Sequence, residues 1–373
     1  MHGHCDIDNS SIIVGVLILV AGIFSLELGI SVAVFEIISG VIAANFLKIE
    51  PRAWIDFHAN FGLLGLMFFA GFETDFVMLR KNWKESLRVG ALSFFLPMLC
   101  IFVLCKFALG MEELASFLIS IGLSTTSLAL VYSVLKERHL IKGKIAQSLL
   151  SSSMVVDLLS MIALMVLFQG LSYTTIVVIV MIPLTRLIVP QIGHWLFRRY
   201  RGNQIEFQIR FILLSILSLV LVSQTSEIHV AVLAFIGGFF FSEILEHHAI
   251  LEEKLKSIVF GLMAPIFFFR AGLTVKFDYI SITTVYYTVL FGFVAFVSKY
   301  LGTYFAIAKN SKPSVARFSG LIFNFRLSFG IVVATFGLEK NMINPEIYFA
   351  MVAVIVLTSV VSSVLLKSVP HEL

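Results

Sequence analysis

Ser151-Ser152-Ser153-Met154-Val155-Val156-Asp157-Leu158-Leu159-Ser160 sets one carboxylate inside an apolar run that reaches from about 144 to 168. A run of ~20 mostly apolar residues can cross a bilayer as one helix. Asp157 falls near its middle, where a charge costs at least ~2.5–3.5 kcal/mol on insertion scales and needs a reason to be there. The hydroxyls of Ser153 and Ser160 lie at i−4 and i+3, on the same helical face as the carboxylate. A structural aspartate hydrogen-bonded between helices is the plain reading. A functional ionisable group is the favoured one, because Asp157 is the sole acidic residue near the middle of that run.

The rest of the chain has the same character. A length of 373 residues would suggest two or three soluble domains. Yet 59% of the residues are hydrophobic, 13% are charged and 37 are Phe, against roughly 45–50% and roughly 25% for the first two classes in soluble domains. Mean hydropathy is +0.99. Disorder is excluded by this composition, and a disulfide scaffold by the three cysteines, Cys5, Cys100 and Cys105. Nucleic acid is not an expected partner: the net charge is +4, and the basic residues form short clusters between apolar runs. Strand-length alternation is missing, which argues against a β-barrel. The expected fold class is an all-α polytopic membrane protein, whose partner is the lipid bilayer.

Apolar runs near 10–27, 31–47, 56–74, 88–108, 113–135, 144–168, 172–195, 208–224, 228–244, 257–274, 281–307, 315–337 and 346–367 predict about thirteen transmembrane helices. Loop charges orient them. Arg80, Lys81, Lys84, Arg88, Lys136, Arg138, Lys142, Lys144, Arg198, Arg199, Arg201, Arg210, Lys254, Lys256, Lys309, Lys312, Arg317 and Lys367 crowd one side, while Lys48, Arg52, Lys106, Lys276 and Lys340 hold the other. The positive side is cytoplasmic, so the N-terminus is expected outside and the C-terminus inside, in a cell (inner) membrane. The first run has no basic residue before it and no evident cleavage site, so it does not read as a signal peptide. The tail Met1 to Asp8 carries His, Cys and Asp, but no second ligand cluster, and reads as a terminus rather than a metal site.

Further charges lie in apolar surroundings. Lys299, in Phe296-Val297-Ser298-Lys299-Tyr300, is too deep to snorkel and needs a carboxylate partner or a neutral form. Arg326 follows Asn324-Phe325. Arg270 lies nearer a span end, where anchoring explains it, and Arg186 lies within the seventh run. Glu36 and Glu243 are candidate partners for an arginine. Two runs look interrupted: Gly122-Leu123-Ser124-Thr125-Thr126-Ser127 in the fifth and Asn324 to Gly330 in the twelfth. They run in opposite directions, seven spans apart, and paired interruptions of this kind mark a transporter site built from inverted repeats. Half-helix ends there offer amides and carbonyls to an ion. The alternative is simple hydrogen bonding of Ser and Thr to the preceding turn.

Taken together these residues resemble the monovalent cation:proton antiporter family, in the branch of Kef-type potassium efflux systems and NapA-type sodium/proton exchangers. Leu66-Met67-Phe68-Phe69-Ala70-Gly71-Phe72-Glu73-Thr74-Asp75 resembles the family's FLAGLE-x-D segment. Ser124-Thr125-Thr126-Ser127-Leu128-Ala129, followed by Val134-Leu135-Lys136-Glu137, resembles S-x-T-S-x-A…LKE. Lys299-Tyr300-Leu301-Gly302-Thr303 matches K-x-L-G-T, and Arg326 to Gly330 resembles R-G-E-x-G with Leu327 and Ser328 in place of Gly and Glu. The resemblance covers nearly the whole chain. It implies a NapA/NhaA-like homodimer with alternating access: dimerisation helices in 1–80 and 206–278, an ion-translocating core in 81–170 and 279–373, and a linker helix in 171–205. The chain departs from the family before the essential aspartate, where Val156 replaces an acidic or amide residue.

The expected function is a secondary antiporter, not an enzyme, that exchanges a proton for Na⁺ or K⁺ and needs no cofactor beyond the transported ions. Asp157 would bind proton or cation in turn. Thr125, Thr126 and Ser153 would supply neutral oxygens suited to a hard monovalent cation at Asp157. Lys299 and Arg326 would compensate charge. With Val156 in place of a second polar group the cycle is expected to be electroneutral. A passive cation channel or a non-transporting sensor on the same fold is the alternative. Zinc-protease, nucleophile-elbow and phosphate-loop motifs are not evident. His247-His248 reads as a solvated loop pair, with a pH sensor as its functional alternative.

Overall fold

A computed structural model describes residues 9–73, 83–140, 143–169, 207–226, 230–245 and 249–369, together with positions 191, 195 and 199. The N-terminal tail, Asp75, Arg186, His247-His248 and most of the expected seventh span lie outside the described residues, as does the side chain of Glu243.

The described residues form fifteen α-helices: α1 (Asn9–Leu28), α2 (Val32–Asn45), α3 (Ala53–Phe72), α4 (Trp83–Val103), α5 (Glu113–Gly122), α6 (Leu128–Glu137), α7 (Lys144–Gln169), α8 (Phe207–Ser226), α9 (Val230–Leu245), α10 (Ala249–Ile258), α11 (Ala264–Leu273), α12 (Ile282–Ala308), α13 (Pro313–Ile322), α14 (Leu327–Glu339) and α15 (Pro345–Leu366). Among the described residues, each expected span other than the largely undescribed seventh carries helix. Eight of the helical segments are long and apolar enough to cross a membrane. The helices around Val32–Asn45, Glu113–Gly122, Phe207–Leu221 and Val230–Phe239 are apolar but shorter. The chain is a multi-pass membrane protein, built of helices, whose backbone groups bond within the segment as lipid requires.

Local chemistry fixes several boundaries. Ser281 caps α12, its hydroxyl accepting from the Thr284 amide at 3.1 Å, with Thr284 closing the reciprocal half of a capping box. Asn344 caps α15 by accepting from the Ile347 amide at 2.8 Å, and Pro345 follows in the first turn, where a missing N–H is harmless. Pro97 sits inside α4, and α4 runs on into a π-helical turn, Leu104–Ala108. A second π turn, Val259–Met263, joins α10 to α11. Sequence periodicity is blind to such turns, because one inserted residue shifts the helical face without changing composition.

The chain divides into two compact units. The first comprises residues 1–56, 76–160 and 268–373. Within it α12 is central, packed on α4, α13 and α15, while α14 packs on α5 and α15. The second comprises 57–75 and 161–267, with α8, α9 and α10 in mutual contact. Its core is aromatic: Phe68 lies against Phe69 and Phe241, and Phe69 against Phe260. Backbones approach closely there, since a Cβ on Gly238 would lie 1.7 Å from the Phe68 carbonyl oxygen. All the expected ion-site residues, Asp157, Thr125, Thr126, Ser153, Lys299 and Arg326, belong to the first unit.

Candidate functional site: two crossing interruptions and a buried lysine

Both expected interruptions are present, but the second is shorter than the expected Asn324 to Gly330, because Leu327 to Gly330 already form the first turn of α14. Helical structure stops at Gly122 and resumes at Leu128, and it stops again at Ile322 and resumes at Leu327. Gly, Ser, Thr and Asn are weak helix formers whose short polar side chains compete for backbone partners, so helix fails at these two places in otherwise apolar segments.

The two interruptions cross and are stitched together. The Ser127 amide donates to the Phe325 carbonyl oxygen at 2.7 Å. The Thr126 hydroxyl donates to the Phe323 carbonyl oxygen at 3.2 Å, and the Ser127 and Ser328 hydroxyls are 3.2 Å apart. Each interruption thus satisfies groups that the other's missing turn leaves open. Ser124, Thr125, Thr126, Asn324 and Arg326 are all buried.

Lys299, from the middle of α12, reaches into this crossing. Its side chain is fully buried, and Nζ donates to the Ser124 carbonyl oxygen at 2.5 Å. Asp157 and Arg326 both act on it electrostatically. Arg326, at the start of α14, donates through Nη2 to the Ala295 carbonyl oxygen at 2.7 Å and to Asn324 Oδ1 at 2.8 Å. Asp157 lies on α7, 7% exposed, beside a fully buried Val156.

The hydroxyls divide into two groups. Thr126 and Ser127 bond across the crossing. Thr125 donates to the Gly122 carbonyl oxygen at 3.1 Å, Ser153 to that of Leu150 at 2.9 Å and Ser160 to that of Val156 at 2.7 Å, all within the preceding turn. For these three the plain reading of local back-bonding holds. A hydroxyl that spends its proton this way still presents oxygen lone pairs outward.

Sequence reasoning located Lys299 and Arg326 but missed the oxygens that receive them. Those of Ser124 and Ala295 are main-chain carbonyls, which every residue carries. Asn324 was legible in part, since an amide inside an apolar run calls for a partner. Arg270, away from the crossing, pairs its Nε with Asp56 Oδ1 at 2.9 Å and donates to the Thr274 hydroxyl at 3.1 Å.

Comparison with known proteins adds a family. Residues 15–369 match the family described as sodium/hydrogen exchanger, transmembrane. The probable Na(+)/H(+) antiporter 3 of Methanocaldococcus jannaschii is 26% identical over 350 residues, covering 91% of this chain and 89% of that protein. The Na(+)/H(+)-K(+) antiporter GerN of Bacillus cereus is 24% identical over 364 residues, covering 93% and 92%. Among solved structures, the sodium proton antiporter MjNhaP1 of Methanocaldococcus jannaschii at pH 8 superimposes with a TM-score of 0.70 at 15% identity, covering 95% of both chains. At that identity the likeness is one of fold.

Proposed function

Because the chain belongs to the transmembrane sodium/hydrogen exchanger family, we propose that it exchanges a proton for a monovalent cation, Na⁺ or K⁺, by alternating access. Asp157 is the carrier and binds either the proton or the cation. The cation loses water on entering the crossing and regains oxygen ligands from the Asp157 carboxylate and the Thr125, Thr126 and Ser153 hydroxyls, a hard donor set suited to an alkali ion. Lys299 and Arg326 balance charge while Asp157 is ionised. One carboxylate carrying one charge each way makes the cycle electroneutral. The moving core is 81–170 with 279–373, the dimerisation scaffold is 1–80 with 206–278, and 171–205 links them in a homodimer. The N-terminus faces outside and the C-terminus the cytoplasm of an inner membrane.

The observation that carries this reading is a buried carboxylate whose field reaches Lys299, where Lys299 is bonded to Ser124 in the first of two helix interruptions that hydrogen-bond to one another. Matched relatives named as antiporters for Na⁺, and in GerN also K⁺, support exchange over a passive channel or a sensor.

The test is reconstitution of the full chain in vesicles with an imposed pH gradient, followed by Na⁺, K⁺ or Li⁺ in turn. Cation-driven dissipation of the gradient by wild type, lost in Asp157→Asn, is the expected result. Asp157→Asn exchanging at the wild-type rate removes Asp157 from the site. Cation flux indifferent to the pH gradient replaces exchange with a channel.

A further inference from the structure

Between α12, the start of α13 and the end of α15 the first unit holds a cavity of about 510 Å³, within the roughly 300–1,000 Å³ usual for small-molecule sites. Its lining is graded along the helix axes. Ser314 and Arg317 lie in the first turns of α13, at one end. Leu321 lies seven residues beyond Ser314, about 10 Å along that helix, and Phe296 lies twelve residues before the end of α12, about 18 Å from it. The cavity therefore runs from a polar mouth at the helix ends to an apolar floor. Charge at the mouth has one sign. Arg317 is exposed, has no hydrogen bond or carboxylate partner among the described residues, and acts electrostatically on Tyr300, which also lines the cavity. Helical side chains lean toward the N-terminus, which carries the guanidinium toward the mouth. Lys309, Lys312 and Lys367 stand at the ends of the three helices that wall the cavity, and none of the described lining residues is acidic. Another arginine steadies the wall: Arg138, at the end of α6, donates to the carbonyl oxygens of Leu366 and of Val369, the latter at 3.0 Å, and so holds the end of α15 in place.

We propose that this cavity binds an anionic phospholipid from the leaflet that the loop charges make cytoplasmic, with its phosphate at Arg317 and Ser314 and an acyl chain along Leu321 and Phe296. A guanidinium meets phosphate oxygens with paired N–H donors, and the Ser314 hydroxyl adds another. Basic pockets between transmembrane helices suit anionic headgroups on these grounds. A free phosphate would fill a small part of the volume and leave the apolar floor uncovered. A phosphocholine headgroup would bring its own cation beside three lysines and an arginine, with no acidic lining residue to receive it. The bound lipid joins the ends of α12, α13 and α15 and so stabilises the folded chain. Binding is independent of the proposed exchange.

The experiment is the melting temperature of the purified full chain in a neutral detergent, titrated with phosphatidylglycerol, phosphatidylcholine or inorganic phosphate at constant ionic strength. A ligand that binds only the folded state raises the melting temperature as its concentration rises. Phosphatidylglycerol is expected to raise it by several degrees, and the other two to leave it in place. Arg317→Gln, which removes the charge, and Ser314→Trp, which fills the mouth without changing charge, are expected to lose the shift. Lys144→Gln, which removes one exposed charge at the start of α7, outside the cavity lining, is expected to keep it. Equal shifts from phosphatidylglycerol and phosphatidylcholine overturn the site, as does a phosphatidylglycerol shift that survives in Arg317→Gln or in Ser314→Trp. Loss of the shift in Lys144→Gln as well reduces it to general charge attraction and also overturns the site. A shift reproduced by inorganic phosphate alone replaces the lipid with a free anion. Exchange plays no part in this readout, so its result and that of the vesicle assay on Asp157→Asn stand or fall separately.

Discussion

Lys299 Nζ donates to the main-chain oxygen of Ser124 at 2.5 Å, so the side chain of α12 holds the interruption between α5 and α6 in place. A cation here has a mechanical task as well as an electrostatic one. Lys299→Met removes the donor from a buried carbonyl, a loss of about 1–3 kcal/mol, and also takes a positive charge from Asp157's surroundings. Relief from burying an ammonium opposes both effects. The two losses act together and should win, lowering the melting temperature of the purified variant. Lys299→Gln retains an N–H donor and should fall between Met and wild type. Lys299→Met melting with wild type would mean that the bond to Ser124 holds nothing.

Thr126 offers a cleaner separation of binding from stability. Its hydroxyl proton is given to the Phe323 oxygen, and the hydroxyl oxygen keeps lone pairs with which to accept. Thr126→Val keeps the shape and removes that oxygen. A side-chain hydrogen bond within a membrane averages only ~0.6 kcal/mol, so stability should drop little. Apparent cation affinity should fall several-fold, read from the concentration dependence of gradient dissipation. A dependence that overlays wild type takes Thr126 out of the site.

Close helix approach in the first unit makes another sharp contrast. A Cβ on Gly40 of α2 would lie 2.0 Å from the Phe269 carbonyl oxygen, and one on Gly272 would lie 2.1 Å from that of Ile37. Main chain cannot yield as a side chain does, so Gly40→Ala should destabilise by ~1–3 kcal/mol or more. Gly15→Ala, where nothing lies within 4 Å, is the control and should melt at or slightly above wild type. Equal melting of the two variants would show that α2 and α11 are not held at this distance.

Much of this arrangement was legible because membrane sequences advertise their exceptions. In an apolar run, Asp157, Lys299 and Arg326 each require a partner, and the stretches around Thr126 and Asn324 resist helix formation in any context. The partners themselves were not legible. Lys299 bonds to a carbonyl oxygen, a group without a sequence signature, and Thr126 bonds to a main-chain oxygen of a segment almost two hundred residues away. Nor did polarity predict direction: Ser153 and Thr126 look alike in sequence, yet one hydroxyl turns back on its own helix and the other crosses to the opposite interruption. Packing against the neighbouring backbone decides between these, and composition carries no record of it.

Stoichiometry tests the assignment of roles most severely. If Asp157 alone alternates between a proton and a cation, each turn moves one positive charge in each direction, and membrane potential does no work on the cycle. Lys299 is the rival carrier: if it also gains and loses a proton each turn, two protons move per cation and the cycle carries current. Its bond to the Ser124 oxygen argues against this, because a charge-assisted bond is roughly twice as strong as a neutral one and is weakened whenever the lysine gives up its proton. The expected outcome is therefore an exchange rate in vesicles, clamped with an ionophore, that does not change with membrane potential. A rate that responds to potential in wild type, and loses that response in Lys299→Gln, would make the lysine the second proton carrier and the cycle electrogenic.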